Sequence, residues 1–120
     1  MSKHVCLIVD DEEAIRTFLR AVLEKEDMHC LEANSASQAL KIIDRIAGRI
    51  DIVVTDIEMP GDMDGIDLTH SIARSYPHIA TILVSGFAET EKVKRGALSK
   101  LIRKPFAIET ILSAVRDSLK

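Results

Sequence analysis

Five times along the chain a short β-rich apolar run gives way to a segment with helical periodicity, and this alternation restricts the fold more than any other feature. The strand-like runs are "HVCLIV" (4–9), "MHCLEA" (28–33), "DIVVT" (51–55), "IATILVS" (79–85) and "KLIR" (100–103). The first and third are almost unbroken in apolar character, as expected of strands covered on both faces. "MHCLEA" is more polar and belongs nearer a sheet edge. Among the helical segments, "EEAIRTFLRAVLEKE" (12–26) carries Ile15, Phe18, Leu19, Val22 and Leu23 at helical spacing, with acids in its first turn. "SASQALKIIDRIAG" (35–48) opens on Ser35 with Gln38 three places on, a capping-box pattern, and closes on Gly48. "GIDLTHSIARSY" (65–76) collects Ile66, Leu68, Ile72 and Ala73 on one face and stops before Pro77. "AIETILSAVRDSLK" (107–120) turns Ile108, Ile111, Leu112, Val115 and Leu119 inward. The segment 87–99, "FAETEKVKRGALS", has few large apolar residues. Its Gly96 costs about 1 kcal/mol relative to Ala within a helix, so a short, weakly docked helix is predicted there.

Strands and helices joined by short loops predict an α/β fold with helices on both faces of a parallel sheet. Right-handed crossovers then favour a doubly wound five-stranded sheet in the order 2-1-3-4-5. The 120 residues suit one domain, residues 1–120, and no linker or repeat divides them. A net charge of −3 gives no support for nucleic acid or an anionic membrane as partner. The longest uncharged apolar runs are four or five residues, far short of the roughly 20 that span a bilayer. The start, "MSKHVCLIVDD", lacks the features of a signal peptide. Cys6 and Cys30 lie inside apolar runs without CxxC spacing, and read as small buried hydrophobes in a reducing cytoplasm. The four histidines are scattered without ligand spacing and are expected on surfaces.

In open α/β sheets, ligands bind beyond the carboxyl ends of the strands, where the winding direction switches. The strand ends bring Asp10-Asp11, Asp56, Ser85 and Lys104 to that edge, whereas the second strand ends at Ala33-Asn34. Two carboxylates about 4 Å apart repel by roughly 4 kcal/mol at an effective dielectric near 20. Three of them are tolerable if one protonates, if they splay into water, or if a cation joins them. Mg²⁺ meets that need, because it takes one or two carboxylates, keeps waters and adds phosphate oxygens. Each residue also has an ordinary role: Asp10 or Asp11 as a helix N-cap, Lys104 as a solvated tip, Ser85-Gly86 as a turn. Gathered on one edge, the ammonium can neutralise an anion and the hydroxyl can donate to a phosphoryl oxygen.

The pieces "CLIVDDEEAIR", "TDIEMPGDMDGIDL", "ILVSGF" and "IRKPF", in this order from end to end, make the chain resemble the receiver domain of bacterial two-component response regulators. The resemblance implies the flavodoxin-like (βα)5 receiver fold and a phosphoacceptor switch, not a turnover enzyme. By it, Asp56 takes a phosphoryl group from a phosphohistidine on a sensor histidine kinase or a histidine phosphotransfer protein. Asp11 binds Mg²⁺ (with Mn²⁺ as an alternative), Asp10 acts through water or from behind, and Glu58 offers its backbone carbonyl. Ser85 and Lys104 bind the phosphoryl group. The resemblance further implies a stand-alone, cytoplasmic, monomeric or weakly dimeric protein with an unidentified protein target. The contact face would be built from 88–96, 100–103 and 107–119. Phosphoryl transfer depends mainly on placement and charge neutralisation, which these groups suffice to provide.

Two features depart from the family pattern. "MPGDMDG" carries one extra residue, at Gly61 or Asp62, after the nucleophile and Glu58. Leu101 stands where many receivers have an aromatic residue that reorients with the Ser or Thr. Phe87, two after Ser85, is then expected to overhang the pocket and slow water attack, while Phe106 anchors the last helix. Two other readings compete. One is a Mg²⁺-dependent phosphohydrolase with an aspartyl nucleophile of the haloacid dehalogenase type, faintly suggested by Asp56-x-Glu58. The other is a pseudo-receiver that binds partners without phosphorylation.

Overall fold

The computed structural model describes residues 3–86 and 100–120. Phe87 and the helix expected over 88–99 lie outside the described residues. In chain order the elements are β1 (His4–Val9), α1 (Glu13–Glu24), β2 (Met28–Ala33), α2 (Ala36–Ile46), β3 (Ile52–Asp56), α3 (Gly65–Ser75), β4 (Ala80–Ser85), β5 (Lys100–Arg103) and α4 (Ile108–Ser118). A 3-10 turn, Ala47–Arg49, follows α2. The five strands are parallel in the order β2-β1-β3-β4-β5, as the alternation predicts, with β2 on an edge.

The strand pleat divides the core in two. Cys6, Ile8, Ile52, Val54, Ile82, Val84 and Ile102 face one side, where Leu19, Val22 and Leu23 of α1 and Ile111 and Val115 of α4 pack on them. Leu7, Val9 and Val53 face the other side, against Ala39 and Ile43 of α2 and Leu68 and Ile72 of α3. Side chains two apart share a face, so unbroken apolar strands satisfy both layers at once. Leu101 joins a smaller cluster of Ile57, Ile66 and Leu83.

Three helix positions depart from the periodic expectation. Phe18 is 40% exposed and Ile108 is 50% exposed, although both fall on the apolar stripes of their helices. Leu19, Val22 and Leu23 are the buried residues of α1. Phe18 sits at the rim, its ring centroid 6.1 Å from that of Phe106. Phe106 itself packs against the core below α4, consistent with an anchoring role. Ile108 is the first residue of α4, a turn ahead of buried Ile111. Ala73 is exposed because Ile72 takes the sheet-facing position and the next residue points about 100° round the helix.

Capping also differs in detail. Ser35 Oγ accepts from the Gln38 N–H at 3.1 Å, but Gln38 Oε1 returns to the Asn34 N–H at 2.6 Å, one residue before the cap. Gly48 lies in the 3-10 turn, without the left-handed backbone of a helix-ending glycine. A complete capping box forms instead at α3: Asp64 accepts from the Asp67 N–H at 2.9 Å, and Asp67 accepts from the Asp64 N–H at 3.0 Å. Just before it, Gly61 takes φ +104°, a conformation open to glycine, which turns the lengthened loop.

Cys6 and Cys30 are buried, free and directly opposite each other on β1 and β2. Burial pushes the Cys30 thiol up to about 11 and raises that of Cys6, so both stay protonated and inert. Among the described residues, no helix is long and apolar enough to cross a membrane.

Candidate functional site

The β1–β3 register runs from Cys6 opposite Ile52 to Val9 opposite Thr55. One further step along both strands places Asp10 beside Asp56. Both continue the series of residues that face α1 and α4, so the pleat aims the two carboxylates the same way. Asp10 is 2% exposed and Asp56 7% exposed, while the neighbouring Asp11 is open to solvent. Carboxylate oxygens of Asp10, Asp11 and Asp56 lie within 4.8 Å of one another.

N-capping does not account for the acidic pair. The N-cap of α1 is Glu12, with no side-chain cap bond, and Asp10 Oδ1 accepts from the Glu12 N–H itself at 2.9 Å. Asp10 is further held by its own N–H, which donates to Ala33 O at 3.1 Å.

Lys104 reaches the same point from the end of β5, the edge strand opposite β2. Its N–H donates to Ser85 O at 2.7 Å, which extends the β4–β5 ladder past Arg103. Its ammonium lies 3.3 Å from Asp10 Oδ2 and 3.7 Å from Asp56 Oδ1. The Lys104–Pro105 peptide bond is cis. Ser85, 6% exposed, ends β4 between β3 and β5. The strand ends therefore bring together Asp10, Asp11, Asp56 and Lys104, with Ser85 at the adjoining tip. Glu58 lies exposed two residues past β3, outside the carboxylate cluster. Leu101 is half-buried, with its side chain in the Ile57–Ile66–Leu83 cluster. The expected role of Phe87 falls outside the described residues.

The floor of the pocket rests on α3. Gly65 donates its N–H to Ile57 O at 2.8 Å, and a Cβ at Gly65 would collide with the main-chain carbonyl of Asp56. The Thr55 hydroxyl donates to that same carbonyl at 2.9 Å. On the opposite flank Arg16 Nη1 donates to Asp10 O at 2.6 Å and Nε to Glu32 Oε1 at 3.0 Å. The motif reading missed Gly65 and Arg16 as parts of the site. A glycine opening a helix and a basic residue one turn into α1 are weak signals until a contact is seen.

The charges do not balance. Loss of water pushes the Asp56 carboxyl up from 3.8 to about 6; Lys104 opposes this, and the charges of Asp10 and Asp11 add to it. Burial disfavours the Lys104 ammonium, but Asp56 and Asp10 outweigh burial and hold it above its ordinary range. One lysine thus serves two buried acids, and the third acid has solvent. Three clustered carboxylates, one unusually reluctant to ionise, form a hard-oxygen donor set that fits a small dication such as Mg²⁺.

Comparison with known proteins places the chain in a family. Residues 6–116 match the family model of the response regulator receiver domain. The chain is 33% identical over 123 residues to the sporulation initiation phosphotransferase F of Bacillus subtilis, covering 99% of this chain and 96% of that protein. It is 33% identical over 117 residues to the sensor kinase CckA of Brucella abortus, covering 95% of this chain but 12% of that protein's length. The response regulator TrrA of Thermotoga maritima, solved in complex with Mg²⁺-BeF, superposes with a TM-score of 0.83 at 27% identity, covering 97% of this chain and 99% of that one. A family match over nearly the whole chain, on the expected sheet order, shows that this chain belongs to the response regulator receiver domains of two-component signalling systems.

Proposed function

We propose that Asp56 accepts a phosphoryl group from a phosphohistidine and that the aspartyl phosphate changes how the domain binds another protein. One observation carries this assignment: Asp56 sits at a strand tip with Asp10 and Asp11 within 4.8 Å and an ammonium 3.7 Å away. An Asp56 carboxylate oxygen attacks phosphorus, and the bond from phosphorus to the imidazole nitrogen breaks with its electron pair leaving on nitrogen. The donor histidine is released and the carboxylate becomes an acyl phosphate. Charge build-up on the transferring oxygens is the main obstacle, and preorganised cations and donors are the remedy. Lys104 supplies a positive charge beside Asp56, and the Ser85 hydroxyl at the neighbouring strand end donates to a phosphoryl oxygen. Asp11 and Asp56, with Asp10 through water and the Glu58 carbonyl, would hold Mg²⁺ or Mn²⁺. That ion, when bound, neutralises phosphoryl oxygens and offsets repulsion among the acids.

The donor is a sensor histidine kinase or a histidine phosphotransfer protein, supported by relatives named as a sensor kinase and a phosphotransferase. Residues 1–120 would act as one receiver unit in the cytoplasm, as a monomer or weak dimer, signalling by binding and not by turnover. Incubation with phosphoramidate, with and without Mg²⁺, should add one phosphoryl group to the wild type only with the ion, and none to Asp56→Asn by intact mass. An adduct of equal yield on Asp56→Asn, or sustained hydrolysis of small phosphate esters, would overturn the assignment.

A further inference from the structure

Arg16 has no role in the mechanism above, yet it grips the main chain of the acidic pocket. Its guanidinium forks: Nη1 donates to Asp10 O at 2.6 Å, and Nε donates to Glu32 Oε1 at 3.0 Å. The Arg16 side chain is 16% exposed and that of Glu32 is 28% exposed, so solvent screens this pair only partly. Glu32 is held a second time by Arg20, whose Nη1 donates to Oε2 at 2.5 Å. Arg20 also donates from Nη2 to Cys30 O at 2.9 Å, which ties the network to the edge strand.

With Arg16 in place, every polar atom of Asp10 is engaged. The N–H donates to Ala33 O, the carbonyl accepts from Arg16, Oδ1 accepts from the Glu12 N–H, and Oδ2 accepts from Lys104. The carbonyl bond has a consequence the others lack. It fixes the plane of the peptide that joins Asp10 to Asp11, and that plane sets where the Asp11 carboxylate begins. Asp11 is the exposed member of the cluster, so main-chain orientation is what keeps it aimed at its two buried neighbours.

We infer that Arg16, braced by Glu32, is a positioning residue that orients the Asp10–Asp11 peptide and thereby sets the affinity of the acidic pocket for a divalent cation. This inference rests on the metal-binding reading of that pocket. Groups that orient metal ligands from behind typically matter by 10- to 100-fold in metal affinity. The sign separates positioning from charge. Removing a positive group beside three carboxylates should, by Coulomb attraction alone, tighten cation binding. Loss of positioning should weaken it. Lysine keeps the charge but cannot span two acceptors with a planar fork.

The test is calorimetric titration of Mg²⁺ into wild type, Arg16→Lys, Arg16→Gln, Glu32→Gln and Arg20→Gln, with thermal unfolding in metal-free buffer beside it. Expected are about tenfold weaker Mg²⁺ binding in both Arg16 variants, a shift in the same direction in Glu32→Gln, and less than twofold change in Arg20→Gln. The Arg16→Gln/Glu32→Gln double variant should bind no more weakly than Arg16→Gln alone. Arg16→Gln binding Mg²⁺ as tightly as wild type or tighter, or Arg16→Lys within twofold of wild type, overturns the inference. If a variant melts below the assay temperature, the titration is repeated on folded protein at lower temperature. A wild type that binds no Mg²⁺ would instead sink the functional proposal itself.

Discussion

Replacing Asp56 with Asn should make this domain more stable at neutral pH, although it destroys the proposed phosphoacceptor. The expectation follows from the rise of the Asp56 carboxyl from 3.8 to about 6, caused first by burial and then by Asp10 and Asp11, against the pull of Lys104. The folded chain therefore binds this proton more tightly than the unfolded chain does. Stability from this group falls as pH climbs from about 4 to about 6, and is level above that window. The difference between 3.8 and about 6 corresponds to at most about 3 kcal/mol. Asn matches the neutral acid in shape, and Lys104 keeps Asp10 as a partner at 3.3 Å. The variant should thus gain about 2 to 3 kcal/mol at pH 7 in metal-free buffer, and the gap should close towards pH 4. Urea denaturation followed by far-ultraviolet circular dichroism measures it; the chain has no Trp and one Tyr, so fluorescence is a poor reporter. Added Mg²⁺ should stabilise wild type and narrow the gap from the other side, since a ligand that binds only the folded state stabilises it. An Asp56→Asn protein no more stable than wild type at pH 7, or an advantage that persists unchanged at pH 4, would refute the account of a strained carboxylate.

Two further substitutions probe the pocket from its other walls. Lys104→Ala removes the ammonium shared by Asp10 and Asp56, and should destabilise the metal-free protein above pH 6, tighten Mg²⁺ binding, and slow phosphoryl transfer at least tenfold; phosphoramidate kinetics at saturating Mg²⁺ separate the last effect from the second. Gly65→Ala drives a Cβ into the Asp56 carbonyl and should cost about 1 to 3 kcal/mol in urea denaturation while weakening Mg²⁺ binding, because the start of α3 must move away from the end of β3 and from Ile57.

The sheet was legible in the residues because its central strands are buried on both faces. A run such as "HVCLIV" leaves no solvent-facing alternation, and once five strand-like runs, the outer two more polar, alternate with helices, crossover handedness leaves few orders open. The acids were legible for a related reason: "VVTD" ends an apolar strand on a carboxylate, so Asp56 could be placed without knowing a single contact. Helix faces were less determinate. Phe18, Ala73 and Ile108 sit on apolar stripes wider than the surface that receives them, and local periodicity cannot say which member is left at the rim. Long-range geometry was out of reach altogether. Lys104 stands closer to Asp10 than to Asp56, Gly65 abuts a carbonyl nine positions earlier, and Arg16 joins one strand end to the edge strand. Residue order and burial pattern decide which groups reach the carboxyl edge of the sheet. How those groups divide protons, charge and hydrogen bonds depends on angstrom-scale separations in a poorly solvated pocket, and these exist only after the sheet has closed around it.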